Sequence, residues 1–256
     1  MYTHAITRLP CPNFAAGLTT ATLGMPGYEL TLQQHQTYVE TLEELGLSVT
    51  ILENQPGYPD AHFVEDTAVI TPEVAVITRP GALARRGEEE SIAPVLAQYR
   101  TLAHIQAPGT VDGGDVLVMD NYCLIGLSER TNEAGANQLR DILLAHGDYR
   151  CAILPVGQGL HLKSSINYLG QQRVLVTQDF VELEILSDFE KVVAPDEEAY
   201  AANTLWINDT LLTPRGFPKT HRLLVDTGLT VIEMPASEME KMDGGLTCLS
   251  LRFVSV

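Results

Sequence analysis

The sequence predicts an α/β fold made of five pseudo-repeats, a five-bladed α/β propeller of ββαβ-type units around a central cavity. Three observations predict it. A helix-period stretch followed by three short strand-like runs recurs five times along the 256 residues. The helix starts fall roughly 40–57 residues apart, within the range of internal-repeat architectures. The fifth set is one strand short, and the N-terminal run His4–Leu9 supplies a candidate; closure of this kind removes exposed sheet edges. On periodicity alone, an open α/β sheet remains the alternative, since alternating strands and helices also suggest it. No low-complexity segment or linker divides the chain, so residues 1–256 are read as a single domain.

The first helix is placed at Thr31–Leu45. Thr31 and Gln34 form a capping-box pattern, His35, Val39 and Leu42 share a face, and Gly46 ends it. The runs Leu47–Leu52, Thr67–Ile70 and Val74–Thr78 follow. A second helix, Glu88–Tyr99, has an acidic first turn that suits the helix dipole. Leu102–Gln106, Val116–Met119 and Tyr122–Gly126 come next. The third helix, Asn132–His146, precedes Cys151–Val156, Ile166–Leu169 and Arg173–Thr177. The fourth, Phe180–Asp188, precedes Lys191–Ala194, Thr204–Ile207 and Thr210–Thr213. The fifth, Thr220–Thr227, precedes Thr230–Met234 and Cys248–Phe253.

The chain is 45% hydrophobic and 19% charged, enough for a well-buried core. Its formal charge of −17 makes nucleic acid and anionic membranes poor partners and favours a cationic small molecule, although acidity that merely aids solubility reads equally well. The four cysteines, Cys11, Cys123, Cys151 and Cys248, are scattered, with no C-x-x-C pair and no zinc spacing. That pattern suits a reducing compartment. The N-terminus alternates like a strand and lacks the features of a signal peptide, and no apolar run is long enough to span a bilayer. A cytoplasmic protein is expected, as monomer or homodimer.

Between the first and second strands of each repeat lies a polar loop: Asp60-Ala-His-Phe-Val-Glu-Asp66, Thr110-Val-Asp-Gly-Gly-Asp115, Gly159-Leu-His-Leu-Lys-Ser164, Tyr200-Ala-Ala-Asn203 and Gly244-Gly-Leu-Thr-Cys248. In a ring, equivalent loops converge on one end of the axis. Cys248, just after Gly244-Gly245, is a candidate nucleophile; a buried small hydrophobe is the commoner fate of a cysteine, and Cys11, Cys123 and Cys151 fit that fate. His161 is a candidate acid and base, against a purely structural hydrogen-bonded role. Asp112 can orient it, although Asp-Gly-Gly-Asp is also a good tight turn, the reading kept for Asp115. Glu65 and Asp66 suit a planar multi-donor cation, or are simply solvated loop acids. Arg85 and Arg130 suit capture of a carboxylate, or are surface ion-pair residues.

These residues bring a known family into view. Gly17-Leu-Thr19, Phe63-Val-Glu-Asp66, Ile77-Thr-Arg-Pro-Gly81 with Arg85-Arg86, Thr110-Val-Asp-Gly-Gly-Asp115, Ile125-Gly126 with Arg130-Thr-Asn132, Leu160-His-Leu-Lys163, Ala201-Ala-Asn203 and Asp243-Gly-Gly-Leu-Thr-Cys248 run in one order over nearly the whole chain. The chain resembles the dimethylarginine dimethylaminohydrolases, guanidino-group-modifying enzymes that fold as five-bladed α/β propellers. The resemblance implies hydrolysis of Nω-methylated arginine to citrulline and a methylamine, without metal or organic cofactor. It implies Cys248 as nucleophile, His161 as acid/base and Asp112 as its carboxylate partner. It further implies Asp66 with Glu65 at the substrate guanidinium, and Phe63 in the pocket wall. Arg85 and Arg130 are implied at the α-carboxylate, and Asp60 with the carbonyls of Leu18 and Met242 at the α-ammonium. Leu18 would ride on a mobile lid.

Three other readings compete. An arginine deiminase or citrulline hydrolase would use the same triad with a different pocket. A cationic amino-acid binder would keep the acidic loop and the arginines and have no use for Cys248. A metal site built from Cys248, His161 and acids has no helical i, i+4 ligand pair to support it.

Overall fold

The computed structural model describes residues 1–156 and 160–255; Gly159, the first residue of the third polar loop, lies outside them. Fifteen strands occur among these residues. They are β1 (His4–Arg8), β2 (Ser48–Leu52), β3 (Ala68–Ile70), β4 (Val74–Ile77), β5 (Thr101–His104), β6 (Val116–Met119), β7 (Tyr122–Leu127), β8 (Arg150–Pro155), β9 (Ile166–Gly170), β10 (Arg173–Val176), β11 (Glu190–Val193), β12 (Leu205–Ile207), β13 (Thr210–Pro214), β14 (Thr230–Met234) and β15 (Leu251–Phe253). They form five three-stranded sheets in an α/β arrangement, with orders β15-β1-β2, β3-β4-β5, β6-β7-β8, β9-β10-β11 and β12-β13-β14.

Every sheet repeats one pattern. The middle strand runs antiparallel to the first and parallel to the third. The antiparallel step needs only a tight turn; Asn208-Asp209, both at positive φ, link β12 to β13 as a primed hairpin turn does. The parallel step needs a crossover, which a helix or helical turns supply. These are α1 (Tyr28–Glu44) before β2, α2 (Ala93–Leu96) before β5, α3 (Glu133–His146) before β8 and α4 (Pro218–Val225) before β14. The expected missing strand is β1: its register pairs Ile6 with Leu251 on one side and Thr50 on the other.

The core sits between sheets, and alternate residues of a strand serve different interfaces. Ile6 packs with Ala75 and Phe253, whereas its neighbour Ala5 packs with Leu205 and Met234. Val116 joins Val76 and Leu139, whereas Leu117 joins Ile166 and Val174. Leu175 joins Leu211 and Leu224. Five apolar clusters result, each shared by successive sheets, and the last joins the fifth sheet to the first. Strands buried on both faces read as near-continuous apolar runs, as Val74–Ile77 does.

Several sequence expectations shift. The first helix starts at Tyr28, so Thr31 lies inside it; its hydroxyl donates to the Gly27 carbonyl and cannot cap. The second helix is a 3-10 turn, Glu88–Ser91, followed by the short α2, because Pro94 has no N–H to continue a longer ladder. In place of the fourth helix are two 3-10 turns, Gln178–Phe180 and Glu184–Leu186, separated where Leu183 is extended. Cys248 lies in a 3-10 turn, Thr247–Leu249, and the strand begins only at Leu251.

The third helix is α3, and Asn132, expected as its first residue, is its N-cap. Its side-chain oxygen accepts from Gly135 N–H at 2.8 Å and from Thr110 N–H at 3.1 Å. Asn132→Ala should therefore cost about 0.5–2 kcal/mol in denaturant unfolding, the range for a lost N-cap.

Candidate active site

Each sheet is entered through a short 3-10 turn: Val64–Thr67, Gly113–Asp115, Leu162–Ser164, Asp196–Ala202 and Thr247–Leu249. These are the polar loops of the sequence. The first turn touches the second, the second the third and the third the fourth, and the fifth touches the first. Asn203 links the fourth to the fifth, accepting from Thr247 N–H at 3.0 Å and donating to the Thr247 hydroxyl at 3.1 Å. The bare Gly244-Gly245 step lets Phe63 and Asn203 pack against the backbone leading to Cys248.

One cavity is lined by Leu18, Asp60, Phe63, Asp66, Arg85, Arg130, His161, Met242 and Cys248 together. Every candidate site residue singled out in the sequence reaches it except Glu65 and Asp112, which stand behind it. A second cavity meets it at His161, Asp243, Gly244 and Cys248, and opens toward Thr177, Tyr200 and Asn203.

Asp112 is fully buried. Its Oδ2 lies 3.2 Å from His161 Nε2, and its Oδ1 accepts from Gly81 N–H at 2.8 Å. Asp66 Oδ1 accepts from Gly114 N–H at 2.8 Å and stands 3.9 Å from the same imidazole nitrogen. Glycine is required at 114: a Cβ there would come within 2.6 Å of His161 Nδ1 and 2.9 Å of Asp66 Oδ1. Asp115, also fully buried, accepts from Leu162 N–H at 3.0 Å and the Ser128 hydroxyl at 2.6 Å, which fixes the backbone beside His161.

Burial opposes charging His161, but Asp66, the Asp112 hydrogen bond and Asp115 outweigh it and push the imidazole up to about 9. Burial also opposes ionising Asp112, yet the His161 hydrogen bond and charge, with Arg85 and Gly81 N–H, hold its carboxyl below the usual range. Cys248 responds the other way. Burial, then Glu65 and Asp66, push its thiol up to about 12, against weaker help from Gly245 N–H and Lys163. The site at rest thus holds a cationic imidazole and a neutral thiol.

Two residues sit differently from the expectation. Glu65 is expected beside Asp66 at a substrate cation, but both its oxygens are occupied. Oε1 takes Lys163 at 2.7 Å and Arg252 at 2.9 Å, and Oε2 accepts from the Thr247 hydroxyl at 2.7 Å. It therefore anchors the residue before Cys248. Arg85 is expected at a carboxylate, but it is buried and mostly spent. Its Nε and Nη2 meet Glu88 at 3.1 Å and 2.7 Å, Nη2 also donates to Phe63 O at 3.1 Å, and Nη1 is paired with Asp66. Of its five N–H groups little remains for a ligand. The Arg130 guanidinium has no hydrogen-bond partner among the described residues and faces the same cavity. Asp60, buried, holds Leu18 N–H at 3.0 Å.

Sequence reasoning missed Glu88, Arg252 and Asp243 as site-supporting residues. Asp243 accepts from Thr20 N–H and, at 3.0 Å, from its hydroxyl, tying the Gly17–Thr20 segment to the loop before Cys248. Its place in Asp243-Gly-Gly was the available signal. A group of three, Asp66, Asp112 and His161, is close enough for metal ligation. Its Asp112–His161 contact is already a hydrogen bond, and a protonated imidazole has no lone pair to give, so the donor set fits a proton better than a metal ion.

A family model described as N,N dimethylarginine dimethylhydrolase, eukaryotic, matches residues 27–196. The chain is 39% identical over 255 residues to the N(G),N(G)-dimethylarginine dimethylaminohydrolase of Pseudomonas aeruginosa, covering 99% of this chain and 100% of that protein. It is 35% identical over 250 residues to the protein of the same name from Streptomyces coelicolor, covering 97% and 96%. A cysteine-to-serine variant of the Pseudomonas aeruginosa enzyme, solved with citrulline, superposes with a TM-score of 0.96 at 38% identity, covering 99% of this chain and 100% of that one.

An imidazole with a higher pKa folded than unfolded stabilises the fold fully below its unfolded value near 6.5 and loses that contribution as pH rises through about 9. Asp112, depressed in the fold, contributes above about 3.9 and loses its share as pH falls. Asp112→Asn should lower the His161 pKa, read by NMR titration, and flatten the stability loss between pH 6.5 and 9.

Proposed function

Because the chain belongs to the dimethylarginine dimethylaminohydrolase family, we propose that it hydrolyses Nω-methylated L-arginine to L-citrulline and methylamine or dimethylamine. The observation that carries this reading is a single cavity with a free arginine at one end and a thiol, an imidazole and a carboxylate at the other. Those two ends match the two ends of the substrate.

In this reading Arg130 binds the α-carboxylate, with Arg85 behind it. Asp60 and the carbonyls of Leu18 and Met242 take the α-ammonium, and Phe63 walls the pocket. Asp66 orients the guanidinium, and Glu65 acts through Thr247 to hold the nucleophile loop. One carboxylate at the guanidinium, rather than two, leaves room for N-methyl groups.

Cys248 attacks the guanidinium carbon. A guanidinium is resonance-stabilised and a poor electrophile, so placing its carbon against sulfur is a large part of the acceleration. The arriving cation offsets Glu65 and Asp66, whose charges add to burial in keeping the thiol protonated. The thiolate is thereby favoured when substrate is present. The tetrahedral adduct collapses as His161 protonates the departing amine, leaving a covalent thiouronium on Cys248. Neutral His161, held by Asp112, then removes a proton from water. Water adds to the carbon, the C–S bond breaks, and citrulline leaves.

The architecture is read as a closed five-bladed α/β propeller forming one catalytic unit over residues 1–256. Cyclic sharing of five apolar clusters and contacts that run around the five turns, closed between the fourth and fifth by Asn203, support it. A cytoplasmic setting, as monomer or homodimer, suits the free cysteines, and no helix among the described residues is long and apolar enough to cross a membrane.

The test is citrulline production from asymmetric dimethylarginine, monomethylarginine, arginine and agmatine side by side. Turnover is expected of the methylated substrates, with Cys248→Ser more than about 10³-fold slower. Arg130→Ala should raise KM by about 10–100-fold with kcat little changed, the loss of a charge-assisted contact of about 1.5–3 kcal/mol. Turnover of arginine alone would move the chain to a deiminase; failure with all four would remove this reading.

A further inference from the structure

The Cys123 and Cys151 thiols, far apart in the sequence, are directly paired across the parallel strands β7 and β8. Paired residues of neighbouring strands stand about 4.8 Å apart, inside the roughly 4.4–6.8 Å window of Cα separations that a disulfide spans. Both side chains lie on the face covered by α3. Cys123 belongs to the cluster of Val116, Ile125, Leu139 and Leu143, and Cys151 packs against the same cluster. The two differ in access: Cys123 is sealed, whereas Cys151 keeps part of its surface. Their settings separate them further: beside Cys123 the Cys151 thiol is drawn down, with burial opposing and Arg140 assisting, while Cys151 and burial drive Cys123 up. An accessible, more acidic thiol beside a sealed, more basic one is the arrangement of an attacking and a resolving cysteine.

We propose that Cys123 and Cys151 are a reversible redox pair, in which a hydroperoxide oxidises Cys151 and Cys123 resolves it to a disulfide joining β7 to β8. The Cys151 thiolate attacks one peroxide oxygen, the O–O bond breaks, and hydroxide leaves with a sulfenic acid on Cys151. The Cys123 sulfur then attacks the Cys151 sulfur, the S–O bond breaks, and water departs with the Cys123 proton. Two thiols and one hydrogen peroxide yield one disulfide and two waters. Both thiols lie near the starts of their strands, and β7 reaches the Ser128–Arg130 loop only at its other end. The pair is thus chemically separate from Cys248.

The experiment uses the full chain with Cys248→Ser, which leaves three of the four cysteines. It is treated with hydrogen peroxide, alkylated, and digested without reduction. Mass spectrometry should find the Cys123 peptide joined to the Cys151 peptide, with alkylatable thiols falling from three to one and returning on mild reduction. Adding Cys123→Ser should leave a Cys151 sulfenic acid that dimedone captures, whereas adding Cys151→Ser should leave Cys123 unmodified. Cys151 driven to sulfinic acid with Cys123 still free, or both thiols untouched at peroxide levels that oxidise a small-molecule thiol, would overturn the proposal.

Discussion

Burying a carboxylate costs several kcal/mol unless donors or cations meet it, and this chain buries Asp66, Asp112 and Asp115 around one imidazole. Each carboxylate is answered. Asp115 has Leu162 N–H and Ser128, Asp112 has Gly81 N–H and His161, and Asp66 has Gly114 N–H and Arg85. The donors come from turns of different sheets. The ion network therefore exists only when the sheets are in register around it, and the apolar clusters between sheets hold that register.

The same network sets the chemistry. Negative charge that favours imidazolium disfavours thiolate, so His161 is held cationic while Cys248 stays a neutral thiol, and the two do not rest as a thiolate–imidazolium pair. That resting state protects a cysteine from adventitious electrophiles and oxidants, because the thiolate is the reactive form. A guanidinium has what is missing, a delocalised positive charge beside Asp66. Recognition and activation become one electrostatic event. The support around it is equally charged: Glu65 bridges Lys163, Arg252 and Thr247, and Glu88 grips Arg85.

Much of this was legible in the sequence. The five-fold cycle showed because each parallel crossover needs a helical segment and each hairpin a tight turn, and both leave local marks. The polar loops showed because acids and a histidine interrupt apolar runs at the same phase of each repeat. The start of the third helix was readable to within a residue, because the signals at helix ends are local. The occupancy of Glu65 and Arg85 was not readable, since their partners Arg252 and Thr247, or the bidentate geometry of Glu88, are set by tertiary packing. The fourth helix failed for a related reason: a short segment with Val181 and Ile185 lacks the length and propensity to hold a helix, and two turns satisfy the crossover instead. The Cys123–Cys151 pairing was likewise invisible, because strand register brings together residues that the sequence separates.

The most direct measurement is a pH titration of Cys248 thiolate by ultraviolet absorbance, with and without a non-hydrolysable guanidinium analogue of the substrate. The other thiols are removed by substitution so that one chromophore is followed. The account predicts no thiolate at neutral pH in the free protein, and its appearance at the same pH once the cation occupies the cavity. A thiolate already formed well below pH 7 without ligand, or a titration unmoved by the cation, would contradict it.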